Sequence, residues 1–178
     1  MVIETARPEN AEAIFGIYLE GWLEVYPNTR LGITKDQVLE RQIGRDGSLL
    51  AVRVAYWRDK IAAADENQTV LVARLEGRVA GFVWPHIKHG RRRLGTLYVA
   101  SNCRGLGIGS RLIEACLDFY KGYDVYLFVA KYNERAIKLY ERFGFKIIGD
   151  SQTDYTFAGQ HVPEFEMMRP GDQANLLH

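Results

Sequence analysis

The stretch Arg104–Ala115 reads RGLGIGSRLIEA, and its reading decides the fold. Three glycines, Gly105, Gly107 and Gly109, alternate with Leu106 and Ile108, and a helical pattern starts at once. Glycine loses more freedom on ordering than any other residue, so a cluster of them points to a backbone that must come close to something. Three ligand readings compete. A dinucleotide fingerprint G-x-G-x-x-G fails, because the third glycine comes too soon and Ser110 follows Gly109. A Walker loop needs Gly-Lys-Ser/Thr, which the chain lacks. An anion cradle at a helix N-terminus fits: free N–H groups and the helix dipole face the ligand, glycine removes the obstructing Cβ, and Arg104 adds a charge at the rim. A bare strand-to-helix turn is the alternative.

Working outward, TVLVARL (69–75), RVAGFVWPHI (78–87) and LGTLYVA (94–100) read as three antiparallel strands ahead of the loop. KHGRRR (88–93) between them reads as a turn, with the arginine run as a solvated hairpin tip. An acidic partner or a ribose phosphate is the other use for that run. After the loop come a helix with Ile108, Leu112, Ile113, Cys116, Leu117 and Tyr120 on one face, a buried strand VYLFVA (125–130), a helix NERAIKLYERF (133–143), and strands FKIIGD (145–150) and HVPEFEMMR (161–169).

Upstream, VIETA (2–6) reads as an edge strand. It precedes an amphipathic helix carrying Ala11, Ile14, Ile17, Tyr18 and Gly21. YPNTRLG (26–32) breaks that helix, and Thr34 with Gln37 forms a capping-box pattern for a second. The stretch 48–64 is read as mostly helix. The order implies an α/β fold: a mixed, mostly antiparallel central sheet with helices on both faces. Residues 1–170 read as a single domain and 171–178 as a short, frayed tail.

Composition limits the function. In 178 residues, 23 basic side chains nearly cancel 22 acidic ones, which gives no argument for nucleic acid or an anionic membrane as partner. Two cysteines, Cys103 and Cys116, suit a reducing compartment, and no metal-ligand spacing occurs, so no metal is expected. MVIETARPEN lacks a basic start and an apolar core, and no run approaches the ~20 residues of a membrane span, so the expectation is a cytoplasmic chain.

LYVASNCRGLGIGSRLIE resembles the acetyl-coenzyme A motif of the GNAT superfamily of N-acetyltransferases, whose pattern Arg/Gln-x-x-Gly-x-Gly/Ala is met by Arg104, Gly107 and Gly109. VAKYNERAIKLYERFGFKIIG is similar to the second block of that family, an Asn opening a helix, a Tyr seven residues on, and a Gly-Phe before the next strand: Asn133, Tyr140, Gly144 and Phe145. The opening ARPENAEAI…GW…YP resembles the first helix region of the family.

The resemblance implies a sheet of about seven strands in which 94–100 splays from 125–130 and leaves a wedge for the cofactor. It implies acetyl-CoA as acyl donor, with coenzyme A as product. It implies transfer of the acetyl group to a primary amine by direct attack in a ternary complex. The acceptor is a polyamine, an amino compound or a protein N-terminus, and the acyl group could be larger than acetyl. A coenzyme A-binding regulatory module without turnover is the alternative. A homodimer is compatible with the resemblance.

Carried over residue by residue, Leu97 and Val99 would offer backbone groups to pantetheine, and the Val99 N–H would stabilise the thioester oxyanion. Arg104, Gly105, Leu106, Gly107, Ile108, Gly109 and Ser110 would hold the pyrophosphate. Asn133 would bond near the pantetheine arm, unless it is only a helix cap. Tyr140 would face the coenzyme A sulfur, unless it is only core. Trp22, Glu24, Tyr26 and His86 are candidates for the acceptor pocket, with Glu24 and His86 the candidate bases.

Overall fold

The computed structural model describes residues 1–151, 156–157 and 159–171, so the tail from 172 onward lies outside the described residues. The strands are β1 (Val2–Thr5), β2 (Leu71–Leu75), β3 (Arg78–Lys88), β4 (Arg91–Val99), β5 (Val125–Ala130), β6 (Lys146–Asp150), β7 (Thr156–Phe157), β8 (Gln160–His161) and β9 (Glu164–Arg169). The helices are α1 (Ala11–Val25), α2 (Lys35–Ile43), α3 (Leu50–Ala62), α4 (Ile108–Phe119) and α5 (Glu134–Arg142). A seven-stranded sheet runs β1-β2-β3-β4-β5-β9-β6, and β7 and β8 form a separate two-stranded ribbon. Every pairing in the large sheet is antiparallel except β4 with β5. The expected mixed, mostly antiparallel sheet is therefore present.

The helices cover both faces. On one face α4 lays Ile108, Leu112, Ile113 and Cys116 over Val83, Leu94, Val125, Leu127 and Met167, with Tyr140 and Phe145 completing that core. On the other, α1 and α3 bury Ile14, Phe15, Trp57 and Ile61 against Val70, Val72 and Phe82. Thr34 caps α2 as its spacing predicts: Gln37 N–H donates to Thr34 Oγ1 at 3.2 Å, and Thr34 N–H donates to Gln37 Oε1 at 2.8 Å. The capping box holds because its partners are three residues apart and need no tertiary help.

Two boundaries differ from the sequence expectation. The turn between β3 and β4 is only His89 and Gly90, both at positive φ, so Arg91, Arg92 and Arg93 open β4. They are not a solvated tip. Arg91 pairs with Glu166 on β9 at 2.8 Å, the Arg92 guanidinium lies 3.5 Å from the Tyr123 ring centroid, and Arg93 is buried. The segment 161–169 is interrupted at Val162–Pro163, with Gln160–His161 in the ribbon and β9 starting at Glu164. Proline has no N–H to give a ladder, and its carbonyl instead accepts from Lys131 at 2.9 Å.

A register shift sits in the β3–β4 ladder, where Trp84 opposes Thr96 but Pro85 opposes Leu94, leaving Gly95 as the extra residue. Only glycine fits there: a Cβ would stand 2.3 Å from His86 Cε1 and 3.0 Å from the Trp84 carbonyl oxygen. Such a bulge bends its strand away from its neighbour, and β4 has little to hold it to β5. That parallel pair shares only Arg92 with Val125 and Arg93 with Tyr126. Beyond those two rungs the strands part.

Candidate functional site

The gap between β4 and β5 opens into a cavity of about 830 Å³ lined by both strands, α1, the 103–110 loop and α5. Its β4 wall carries unpaired backbone. Ala100 N–H donates to Ala80 O on β3 at 2.9 Å. In an antiparallel ladder, alternate residues point their N–H and C=O to opposite edges, so Tyr98 also faces β3 while Leu97 and Val99 face the gap. No strand meets them there, since the β5 ladder ends at Tyr126. Buried amide groups without partners are costly, so this wall calls for a chain that can hydrogen-bond along it.

At the mouth of the cavity the glycine loop turns into α4. Gly105 and Gly107 have φ of +80° and +76°, the left-handed region in which other side chains are strained. Gly109 has no such need, because it lies inside α4 and its φ is not positive. A Cβ there would make ordinary contacts, 3.5 Å to Leu139 and 3.9 Å to Val99. The third glycine is therefore not required by the protein's own packing. The N–H groups from Gly105 to Ser110 donate to no described residue, and the first helical bond of this turn is Arg111 N–H to Gly107 O at 3.1 Å. A row of free N–H groups at a helix N-terminus is a site for anionic oxygen. Leu106 alone among the loop residues turns its side chain away, 58% exposed and outside the cavity lining.

Helix α1 holds this loop from the other side. Glu20 accepts from the Ser101 N–H at 3.1 Å and from the Ser101 hydroxyl, which keeps its carboxyl below the usual carboxylate range. One turn later, Glu24 pairs with Arg104, Nη1 to Oε1 at 2.7 Å. Exposed ion pairs contribute little to stability, so this contact orients rather than stabilises. Glu24, a candidate base from the sequence, is thus engaged by an arginine.

The other predicted residues also line the cavity. Tyr140, on α5, has its ring 5.9 Å from Phe145 and is buried, while its hydroxyl bonds to no described residue and is not among the enclosed polar atoms. Burial, with Cys116 beside it, raises its pKa far above that of a free phenol. Asn133 is the cap of α5, accepting from Ala136 N–H at 3.2 Å, so the helix-capping role is present whatever else it does. Trp22 on α1 and Tyr26 just past its end bring their rings together, tilted by 33° with centroids 4.3 Å apart. His86 stacks on Trp84 at 4.0 Å, and burial lowers its pKa to about 4, opposed by a contact of Nδ1 with the Trp84 carbonyl. It is a neutral imidazole at pH 7 and a weak base. Arg93, absent from the sequence-derived candidates, lines the same cavity. Among the described residues no cluster of three or more His, Cys, Asp or Glu could hold a metal ion, and no helix is long and apolar enough to cross a membrane.

Comparison with known proteins gives concordant results. The chain is 38% identical over 85 residues to mycothiol acetyltransferase of Acidimicrobium ferrooxidans, covering 43% of this chain and 27% of that protein. It is 28% identical over 103 residues to spermidine N(1)-acetyltransferase of Escherichia coli K12, covering 54% of this chain and 55% of that protein. The chain thus spans about half or less of these relatives. In fold it is similar to yncA of Salmonella typhimurium, solved with its cofactor acetyl-CoA: TM-score 0.69 at 19% identity over 97% of this chain and 94% of that one. The Acetyltransferase (GNAT) family matches residues 36–145, which carry the bulged β4, the glycine loop and α5, and the chain belongs to that family.

Proposed function

We propose that this chain is an acetyl-coenzyme A-dependent N-acetyltransferase that acts on a primary amine by direct attack in a ternary complex. The observation that carries the reading is the parting of β4 from β5 above a loop of free N–H groups. A diphosphate on an amide-rich arm needs those two features in that order. Arg104 to Ser110 hold the diphosphate, the backbone of Leu97 and Val99 pairs with the arm, and Asn133 lies beside it. Bound there, acetyl-coenzyme A supplies the activated acyl group.

The chain's own groups then divide the work. Val99 N–H faces the gap and polarises the carbonyl. Tyr140, kept protonated by burial, donates a hydrogen bond to the leaving sulfur. A free phenol at ~10 against a thiol at ~8.5 already makes complete proton transfer uphill by about 2 kcal/mol, and burial makes it steeper. The role is therefore a hydrogen bond that strengthens as sulfur gains charge.

The amine needs the reverse help, because deprotonating an alkylammonium at pH 7 costs about 4–5 kcal/mol. Glu24 is engaged and His86 is weak. The cations Arg93, Lys88 and Lys60, all felt by His86, do part of the job by disfavouring a further positive charge.

Thermal unfolding with acetyl-CoA, coenzyme A, NAD and ATP in parallel tests the reading. Either coenzyme A form at 100 times its Kd adds about 2.7 kcal/mol, roughly 5–10 °C for a domain of this size, and NAD and ATP add nothing comparable. No shift with coenzyme A withdraws the proposal. A shift without thiol release from any amine points instead to a binding module without turnover.

Gly109→Ala sharpens the test. The protein tolerates a Cβ there, and alanine is the better helix former, so the unliganded midpoint should hold or rise by about 1–2 °C. The added methyl narrows the cradle between Val99 and Leu139, so coenzyme A should bind about tenfold more weakly by titration calorimetry. An unchanged Kd would mean that the ligand does not approach this turn.

A further inference from the structure

Arg93 is 8% exposed, yet its side chain makes no hydrogen bond to any described residue. Its Nε and Nη1 are enclosed and unpartnered, Nη2 is the nitrogen that is not enclosed, and the guanidinium lies 4.2 Å from the Phe128 ring centroid. Neighbouring arginines are placed differently, Arg91 on Glu166 and Arg92 over Tyr123. The Glu166 carboxylate, bonded to Arg91, acts on Arg93 only through space. A desolvated guanidinium whose nitrogens make no hydrogen bond is costly, and native interiors rarely keep one without a use.

Its position says which ligand it serves. On β5, Leu127 and Val129 pack with α4, so Phe128 and Ala130 face the other way. Ala130 there packs with Trp22 of α1. Arg93, over Phe128, therefore lies on the α1 face of the gap, with the aromatic residues assigned to the acceptor. It stands six residues before Val99 on β4, about 20 Å along the strand from the loop mouth. A diphosphate seated on the 104–110 loop cannot reach it. The charges that reach His86 beside it are Arg93, Lys88 and Lys60, all positive, and the one carboxylate that acts on Arg93 among the described residues, Glu166, is already bonded to Arg91. Glu164 also lines the cavity but acts on Tyr132, whose hydroxyl it helps to raise.

Resting on the acetyltransferase reading, we propose that Arg93 anchors an oxyanion carried by the acceptor, so that the acceptor is an amine bearing a carboxylate or phosphate, not a polyamine. Nη2 meets the anion first, and a small rotation off Phe128 presents Nε for the second bond of a bidentate pair.

The test pairs each acid with the amine that lacks its anion, using purified protein, acetyl-CoA and thiol release. The panel is α-, β- and γ-amino acids against their decarboxylated amines, O-phosphoethanolamine against ethanolamine, and spermidine. At least one acid should exceed its partner about 100-fold in kcat/KM, and the carboxylate and phosphate arms tell the two sources apart. Arg93→Lys should cut that preference to about tenfold, and Arg93→Met should abolish it, both with the coenzyme A thermal shift intact. Arg93→Met should also raise the unliganded midpoint by several degrees, as replacing a buried unpaired charge with an apolar chain does. A structural arginine would give the opposite sign. Thermal shifts by the same acids in the presence of coenzyme A read the anion contact without turnover.

Spermidine or the decarboxylated amines outperforming the acids would overturn the inference. So would no shift from any acid, or Arg93→Met lowering all acceptors equally. Failure of coenzyme A itself to shift the protein would instead remove the acetyltransferase reading on which the inference rests.

Discussion

Tyr140→Phe should lower the rate of thiol release in a single turnover by about 100-fold, the lower end of what one positioned hydrogen-bond donor to a developing anion contributes, while coenzyme A binds as before. The substitution deletes one oxygen and leaves the ring against Phe145, so the core keeps its volume. The hydroxyl has no described partner to lose, so nothing in the fold should register its removal. Only a group arriving in the cavity can. The expected signature is a fall in kcat, an unchanged Kd for coenzyme A and an unchanged thermal midpoint. A single-turnover rate within about threefold of the parent would make Tyr140 a packing residue only.

Gly21→Ala should destabilise the protein by about 1–3 kcal/mol in urea unfolding, although helix propensity alone favours alanine by up to about 1 kcal/mol. The reason is Tyr98. A Cβ at position 21 would stand 2.1 Å from Tyr98 Cδ1, 2.4 Å from Cε1 and 2.9 Å from Cγ, overlapping one whole side of the ring. That ring is held between Tyr18, 5.8 Å away and perpendicular, and Phe82, 6.3 Å away. It cannot swing clear without breaking both contacts, so α1 must move off β4. Because α1 also carries Glu20 and Glu24 to the glycine loop, coenzyme A affinity should fall along with stability. A more stable variant would mean the ring yields easily and the propensity term wins.

Local features of this fold were legible because their causes are local. The Thr34–Gln37 box, the β2–β3 hairpin and the helix springing from Gly107 each need only residues a few positions apart. The Tyr140 and Asn133 candidates could be read from spacing and resemblance, and the structure puts both on the cavity wall, where their chemical roles await the experiments above. What the sequence hid depends on distant partners. Three consecutive arginines look like a solvated turn until Glu166 on β9, Tyr123 in the turn before β5 and Phe128 on β5 arrive to receive them. Glu24 looks like a free carboxylate until Arg104, 80 residues on, comes to meet it. That β9 slips between β5 and β6 has no trace in periodicity, since alternation marks the faces of a strand and not the partner at its edge. A signal for Arg93 did exist: Pro85 and Gly95, a residue without a ladder donor and one without a side chain, mark the bulge beside it.

The two rungs joining β4 to β5 have a mechanical meaning. The sheet is in effect two stiff leaves, β1-β2-β3-β4 and β5-β9-β6, each cross-braced by antiparallel ladders, meeting at a joint with almost no backbone bracing. The opening angle between the leaves is set by side chains at the joint, by Arg91 resting on Tyr126, and by α4 lying on both. Side-chain packing yields more readily than a hydrogen-bond ladder. The width of the gap is therefore the softest coordinate of the seven-stranded sheet, and a bulky residue placed at the joint acts on that aperture like a shim in a hinge.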